Sequence, residues 1–258
     1  MNQNEEVHKI LVEAGSLLKC YYEEAPKWDE KGRFDLVSEA DLAAERLIVT
    51  RLRSAFPGEA IYAEEAGEDA RDDDRDAAVK WIVDPLDGTA NFVAGIPHFA
   101  VSIARERDGH IAEGYVYNPI SEELFYSTRS EGRAYLRDDP ITVSETADLG
   151  AALVAFGFSA NMDTIRKYYE RWGPVFEGCR KGLAVIVPSL TLCNVARGRL
   201  DAFIDFACSM EGQAAAALIV KNAGGVILNY DLTRHDHRTK GAVAANPRLA
   251  DVLRQHAT

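Results

Sequence analysis

The segment VKWIVDPLDGT constrains this chain more than any other: an apolar run from Val79 to Val83 ends in two carboxylates, Asp84 and Asp87, three residues apart. A short apolar run of this kind is the pattern of a buried strand. Carboxylates at its end are costly to bury without cations or several hydrogen bonds. Pro, Asp and Gly are also ordinary turn formers, so the block alone reads equally as a plain turn. Upstream, IYAEEAG puts Glu64 and Glu65 at the end of a second short strand, where a Glu-Glu pair is usually just solvated. Taken together, the two strand ends can bring several carboxylates to one point, beside a Gly88-Thr89 whose amide and hydroxyl suit a phosphate oxygen. Such an all-oxygen donor set favours hard cations such as Mg²⁺. Two adjacent cations of this kind can activate water and stabilise the leaving oxygen of a phosphoryl displacement.

Charge makes such cations more necessary. The 258 residues carry 29 Lys and Arg against 41 Asp and Glu, a net charge of -12, and no Lys/Arg-rich run. That surface does not attract nucleic acid or anionic lipid unaided, and an anionic substrate needs local compensation. With 47% hydrophobic and 27% charged residues, the composition is that of a globular protein with a substantial core. No stretch has the apolar length to cross a bilayer, and MNQNEEVHKI is acidic and polar where a secretion signal is basic and then apolar; the expected location is the cytoplasm. Cys20, Cys179, Cys193 and Cys208 lie far apart without a Cys-x-x-Cys pair, which predicts buried free thiols and no zinc.

Apolar positions recur at helical spacing from Val7 to Tyr21 and again from Ala40 to Leu52. Ser38 and Asp41 have the spacing of a capping box for the second helix, which Pro57-Gly58 closes before a strand around Ile61. Glu68 to Ala78 is polar and acidic and reads as a loop. Beyond the Asp84 strand, two β-rich runs flank Asp108-Gly109 as a hairpin, and ELFYS and GRAYL extend the meander. After residue 150 the texture becomes an alternation: strand ALVAF, a helix from about Met162 to Phe176, strand LAVIV, a helix near Leu190 to Ala196, strand DAFIDF and a helix through AAAALIVKNA. Strands around Val226 and Val243 and a final helix after Pro247 complete the series. The division is therefore an α+β half, 1–150, carrying most of the acidic site, and an α/β half, 151–258.

The blocks DLVSEADLAAERLI, FPGEAIYAEEAG, WIVDPLDGTANFVAGIPHFAVSIA, ARGRLDAFID and LIVKNAGG resemble, in order and spacing, the signature blocks of the inositol monophosphatases. The resemblance spans roughly residues 30 to 230 and implies a mixed α/β (α+β) fold of the sugar phosphatase type, a layered α-β-α-β-α sandwich. It makes Glu64, Asp84, Asp87 and the Leu86 carbonyl ligands of two or three Mg²⁺ ions. Asp41 and Thr89 would orient the attacking water, with Glu64 also catalytic; Asp41 can serve as helix cap at the same time. Asp87, Gly88 and Thr89 would hold the phosphate, and Asp205 a substrate hydroxyl. The implied reaction is hydrolysis of inositol monophosphate, and by extension fructose 1,6-bisphosphate, by a metal-activated water. A 3'(2'),5'-bisphosphate nucleotidase is the alternative within the superfamily, and a homodimer is the implied assembly.

Two departures affect the second half. The family places Trp-Asp at the start of the helix before its Ala-Gly-Gly, and that Asp is a further ligand; here Glu211 and Gly212 occupy those positions. Glu211 can substitute, being longer and near a helix start where an anion is favoured. It reads equally as a helix-start acid that never meets metal. The family Gly-Ser/Thr beside the substrate falls at Ile186-Val187, with Ser189 close by. These changes leave open a protein that keeps the fold but acts as a binding or regulatory partner. His235 and His237, among Arg234, Arg238 and Lys240, read as a solvated turn; His98 either faces the site or packs beside Pro97.

Overall fold

The computed structural model describes residues 3–24, 28–32, 35–65, 77–157, 162–184 and 187–256. Most of the acidic Glu68 to Ala78 loop, and residues 185–186 of the LAVIV segment, fall outside the described residues.

Helix α1 (Gln3–Glu24) and helix α2 (Glu39–Ala55) follow the predicted periodicities. Val7, Ile10, Leu11, Ala14 and Leu18 of α1, and Ala40, Ala44, Ile48 and Leu52 of α2, are fully buried. The short strands β1 (Trp28–Gly32) and β2 (Asp35–Ser38) pair between the two helices. The capping box forms as the sequence predicts: Ser38 and Asp41 exchange side-chain and backbone hydrogen bonds at the start of α2.

These helices cover one face of a seven-stranded sheet ordered β3 (Ala60–Ala63), β4 (Val79–Asp87), β5 (Ala100–Arg107), β6 (His110–Asn118), β7 (Glu123–Thr128), β8 (Arg133–Leu136) and β9 (Asp139–Ile141). Only β3 and β4 run parallel; the remaining neighbours are antiparallel. Asp108 and Gly109, both at positive φ, turn β5 into β6 as a hairpin. Between β4 and β5 helix α3 (Thr89–Val93) makes little more than one turn.

The second sheet has the order β11 (Lys181–Ala184), β10 (Leu153–Gly157), β12 (Ala202–Asp205), β14 (Ala242–Ala245) and β13 (Val226–Asn229). Its first three members are parallel, and β14 runs against both its neighbours. Helices α4 (Met162–Gly178) and α7 (Pro247–His256) cover its outer face through Tyr168, Trp172, Val175, Leu249 and Leu253. Helices α5 (Pro188–Ala196) and α6 (Met210–Asn222) fill the space between the sheets. The layers are therefore helix, sheet, helix, sheet, helix. Helix α6 is apolar all round, as a helix covered on both sides must be; Ala214 to Val220 are all buried. The predicted division near residue 150 separates the strands of the two sheets, yet this central cluster joins Ile82 and Val116 to Phe203, Ala215 and Ala244.

The four cysteines are free, but only Cys193 and Cys208 are buried; Cys20 lies on an exposed face of α1, and Cys179, just past the end of α4, is half-buried. No helix among the described residues is long and apolar enough to cross a membrane.

Candidate functional site

Strand β4 continues through Asp87, so the Asp-Pro-Leu-Asp block is strand and not a simple turn. Asp84 pairs with Ser102 and Asp87 with Ala100, which sets three steps of β4 against two of β5. Residues three apart on a regular strand face opposite ways; the bulge removes one step of alternation and brings both carboxylates to the same face. Pro85 is tolerated there because a bulge leaves its residue outside the ladder. The shared face is the one against α5 and α6, since Ile82 and Ala100 belong to the central cluster and the Ser102 hydroxyl reaches the Glu211 carbonyl at 3.4 Å.

The parallel pairing of β3 with β4 ends at Ala63 opposite Val83, and Glu64 N–H still donates to the Val83 carbonyl at 3.2 Å. The next pair in that register is Glu64 with Asp84. Asp84 is 3% exposed and Asp87 7%, whereas Glu64 and Glu65 are half-buried. Burial raises the Asp84 carboxyl well above its ordinary range, the charges of Glu64 and Asp87 push the same way, and so do its hydrogen bond with Glu64 and the charge of Glu211. Burial lifts Asp87 to about 6, with Ser189 opposing and Asp205 adding to the rise.

What the protein supplies against this repulsion is mostly backbone N–H. Leu86 N–H donates to Asp84 Oδ1 at 3.2 Å, and Ser189 N–H, in the first turn of α5, donates to Asp87 Oδ2 at 2.7 Å. Helix α6 also begins here, capped by Ser209, whose Oγ accepts from Gly212 N–H at 3.2 Å. Two helix starts thus face the carboxylates, the orientation that favours anions. Sequence reasoning missed Ser209 as this cap, although a serine just before a helix is the usual signal for one.

Asp41 enters from α2. Its Oδ2 accepts from Ser38 N–H at 2.8 Å and Ser38 Oγ at 2.5 Å, which leaves Oδ1 to accept from Thr89 Oγ1 at 3.0 Å. Thr89 Oγ1 is also 3.0 Å from the Leu86 carbonyl, and its single hydrogen serves one acceptor at a time. Burial raises the Asp41 carboxyl while the Ser38 and Thr89 bonds oppose the rise. One turn further along α2, Glu45 Oε2 accepts from Glu65 N–H at 2.6 Å and fixes the end of the Glu-Glu segment. Sequence reasoning missed Glu45, although its place four residues after Asp41 puts both on one helix face.

Gly88 sits at φ 98 with Val187 Cγ2 only 2.8 Å from where a Cβ would be, so the turn into α3 needs glycine for conformation and for space. Asp205, 6% exposed, ends β12; its Oδ1 accepts from Ala207 N–H at 2.6 Å and Cys208 N–H at 3.2 Å. Its Oδ2 lies over Gly157, 2.2 Å from that residue's missing Cβ position. Glu211 is half-buried at the start of α6 and close enough for its charge to act on Asp84. Beside it, a Cβ at Gly212 would lie 3.9 Å from Asp84 Oδ2. The vacant family position therefore opens directly on the buried carboxylates.

Among the described residues, no group of three or more His, Cys, Asp or Glu side chains is gathered closely enough to hold a metal ion as it stands. Asp84 is turned to Glu64, and Asp87 to the Ser189 amide. The donor chemistry nevertheless fits a hard cation: buried, mutually repelling carboxylates with the Ser189 hydroxyl buried beside them. A divalent ion would relieve the repulsion that the helix starts only partly offset.

His98 is half-buried and lines a separate cavity of about 270 Å³ with Pro97, Asn118 and Asn194. The histidines of the Arg234 to Lys240 loop correct the expectation of a solvated turn. His237 is 7% exposed with Nε2 2.6 Å from Glu106 Oε2, and His235 Nε2 lies 3.0 Å from Gln213 Oε1. The loop folds onto the sheet because Glu106, buried on β5, draws His237 and Arg238 together with Lys80.

Comparison with known proteins decides the family: the inositol monophosphatase pattern matches residues 3–258. The chain belongs to the inositol monophosphatase family. Among relatives, Nus factor SuhB of Escherichia coli is 35% identical over 244 residues, 93% of this chain and 90% of that protein. Its counterpart in Pseudomonas aeruginosa is 38% identical over 223 residues, 84% and 80% of the respective chains. Of solved structures, the extragenic suppressor protein suhB from Bartonella henselae superposes with a TM-score of 0.90 at 32% identity, covering 98% of this chain and 97% of that one. The Thermotoga maritima IMPase gives 0.88 at 29% identity, covering 100% and 97%. These solved structures thus share the fold described above over nearly the whole chain.

Proposed function

We propose that this protein is a Mg²⁺-dependent phosphomonoesterase of small phosphorylated polyols or sugars, with inositol monophosphate the leading substrate and fructose 1,6-bisphosphate a further one. The observation that carries this reading is the proximity of Glu64, just past the end of β3, to Asp84 and Asp87 on the bulged part of β4, beside the Asp41–Thr89 hydrogen bond. Glu64, Asp84, Asp87 and the Leu86 carbonyl would hold two or three Mg²⁺ ions, with Glu211 reaching in from the start of α6. When bound, such ions neutralise phosphate charge and make water a stronger nucleophile.

The chain's own residues do the positioning. Asp41 takes the Thr89 hydroxyl hydrogen, so the Thr89 lone pairs face outward to accept from the attacking water. Glu64, the half-buried member of the set, receives that water's proton at a carboxylate oxygen. The Gly88 and Thr89 amides hold a phosphate oxygen, and Asp205 reaches a substrate hydroxyl through Oδ2. The water oxygen bonds to phosphorus in line as the ester bond breaks, the leaving oxygen takes its proton from a second water, and Glu64 gives its proton back to solvent to restore the balance; no covalent enzyme intermediate forms.

A second reading keeps the fold without turnover, as a binding or regulatory protein. Gly212, where the family carries a carboxylate, favours it, and so does the Nus factor name carried by the SuhB relatives. Phosphate release from inositol 1-phosphate, fructose 1,6-bisphosphate and a 3',5'-bisphosphate nucleotide, with and without Mg²⁺, separates the readings. Mg²⁺-dependent turnover of a polyol or sugar phosphate supports the phosphatase; preference for the nucleotide moves it to the bisphosphate nucleotidases. No turnover and no thermal stabilisation by Mg²⁺ leaves only the binding role.

Gly212→Asp extends this test. The new Cβ would meet Ser209 Oγ at 3.4 Å, Pro188 Cβ at 3.7 Å and Asp84 Oδ2 at 3.9 Å, all ordinary contacts, so the helix start accepts it. The added carboxylate should lower the Mg²⁺ concentration for half-maximal activity by about tenfold or more, a gain of about 1.4 kcal/mol from one further ligand. An unchanged Mg²⁺ dependence would place the ions elsewhere.

A further inference from the structure

At the far end of α6 from the carboxylates lies a cavity of about 750 Å³, within the size range of small-molecule sites. Lys221 on its wall is nine residues beyond Gly212, roughly 14 Å along the helix axis. The cavity is formed where the β5–β6 hairpin, the start of the β7–β8 turn, the end of α6 and the Arg234 to Arg238 loop come together.

Its charge runs against the rest of the chain. In a protein of net charge -12, Arg129, Lys221, Arg234, His235 and Arg238 line one cavity, and Asp236 is the only acid among its described lining residues. Arg238 is held by Glu106, and Asp236 is occupied by the Arg238 backbone N–H at 3.0 Å. Arg129, Lys221 and Arg234 make no salt bridge among the described residues. Arg129 instead donates its Nε to the Ile111 carbonyl at 3.0 Å, which aims the guanidinium along the cavity wall.

The cations are also crowded. Lys221 Nζ lies 3.3 Å from His235 Nδ1, whose ring is fixed from the other side by Gln213. Partial burial of its stem, and next Arg129 and Arg234, hold the Lys221 ammonium below its ordinary range against the opposing charge of Asp236, although the residue as a whole stands exposed at the cavity rim. Burial, and next Lys221, bring His235 down to about 3, so it is a neutral acceptor for the ammonium. Gathering like charges around a hollow is unfavourable until an anion fills it. Ile111, Ile227 and Leu228 supply an apolar wall next to the charges.

We propose that this cavity binds a small organic phosphate, its phosphate groups between Arg129, Lys221 and Arg234 and its body against Ile111 and Leu228. Guanidinium forks and an ammonium match phosphate oxygens, and the apolar wall favours a ligand with a flat or hydrophobic body over inorganic phosphate. The site goes beyond the phosphatase reading and does not depend on it.

The test is calorimetric titration of the full chain with ADP in EDTA, where the Asp84 and Asp87 carboxylates, stripped of divalent ions, repel phosphate. Wild type should bind about one equivalent with a Kd at or below about 1 mM. Arg129→Gln with Arg234→Gln should weaken binding by at least about tenfold with an unchanged melting temperature, while Arg234→Lys alone retains most of it. Asp87→Asn should bind ADP as wild type does. The proposal is overturned by absent saturable binding, by equal binding in the double variant, or by a loss that follows Asp87→Asn. It is equally overturned if ADP fails while a single-stranded oligonucleotide binds with affinity that grows with length, which would mark a nucleic-acid surface.

Discussion

Asp84→Asn should stabilise the metal-free protein while lowering Mg²⁺-dependent phosphate release by at least about 100- to 1,000-fold. The substitution is nearly isosteric, and Asn Oδ1 can keep the Leu86 N–H bond that Asp84 Oδ1 accepts. Its amide can donate to Glu64, replacing a contact between two carboxyls of like charge. Since burial and the Glu64 and Asp87 charges all disfavour the ionised form, removing that charge should yield on the order of 1 kcal/mol, or roughly 2–4 °C in melting temperature for a chain of this size. The stabilisation that Mg²⁺ gives wild type should be lost in the same variant. Thermal melts in EDTA and in Mg²⁺, run beside a phosphate assay, read all three effects. A variant that is less stable without metal, or that still turns over normally, would mean the Asp84 carboxylate is structural.

The largest stability effect should come from Gly114→Ala. Gly114 lies on β6 where α6 crosses the sheet, and a Cβ there would sit 2.4 Å from the Ala215 carbonyl oxygen and 2.9 Å from its Cα. Both atoms are backbone of a buried helix, so no side-chain rotation relieves the clash. Overpacking of this kind costs about 3 kcal/mol or more when backbone must move. Helix α6 also carries Glu211 and Gly212, so its displacement should disturb the carboxylate end even in the fraction that stays folded. Chemical denaturation should show a lower midpoint with an unchanged slope. A midpoint equal to wild type would mean that α6 packs more loosely than its close approach to β6 implies.

Local chemistry made much of this legible. The Ser38–Asp41 box, the helical periodicities of α1 and α2, the Asp108-Gly109 hairpin and the alternation after residue 150 each depend on neighbours within a few positions. The placement of Glu64 just past a short strand was readable for the same reason, whereas Asp84, expected at a strand end, lies inside β4. The common facing of Asp84 and Asp87 was not, because their spacing alone puts them on opposite sides, and only the pairing of β4 with β5 reveals the extra residue. The Ser189 amide on Asp87 joins positions 102 residues apart, and His237 is buried by a glutamate 131 residues away. Neither signal exists in any short window. The Glu211-Gly212 departure was visible in the sequence, but that Gly212 looks onto Asp84 required the packing of α6 between the sheets.

That packing makes the acidic site a joint. Glu64, Asp84 and Asp87 hang from one sheet; Ser189, Asp205, Ser209 and Glu211 belong to the other half, and the Ser189 amide and the Asp205 and Glu211 charges act across the boundary. A split of the polypeptide near residue 150 would leave each fragment with its own acids and no partner to oppose them. Reassembly of the two fragments would then be reported by the return of chemistry itself, a readout that a site confined to one half could never provide.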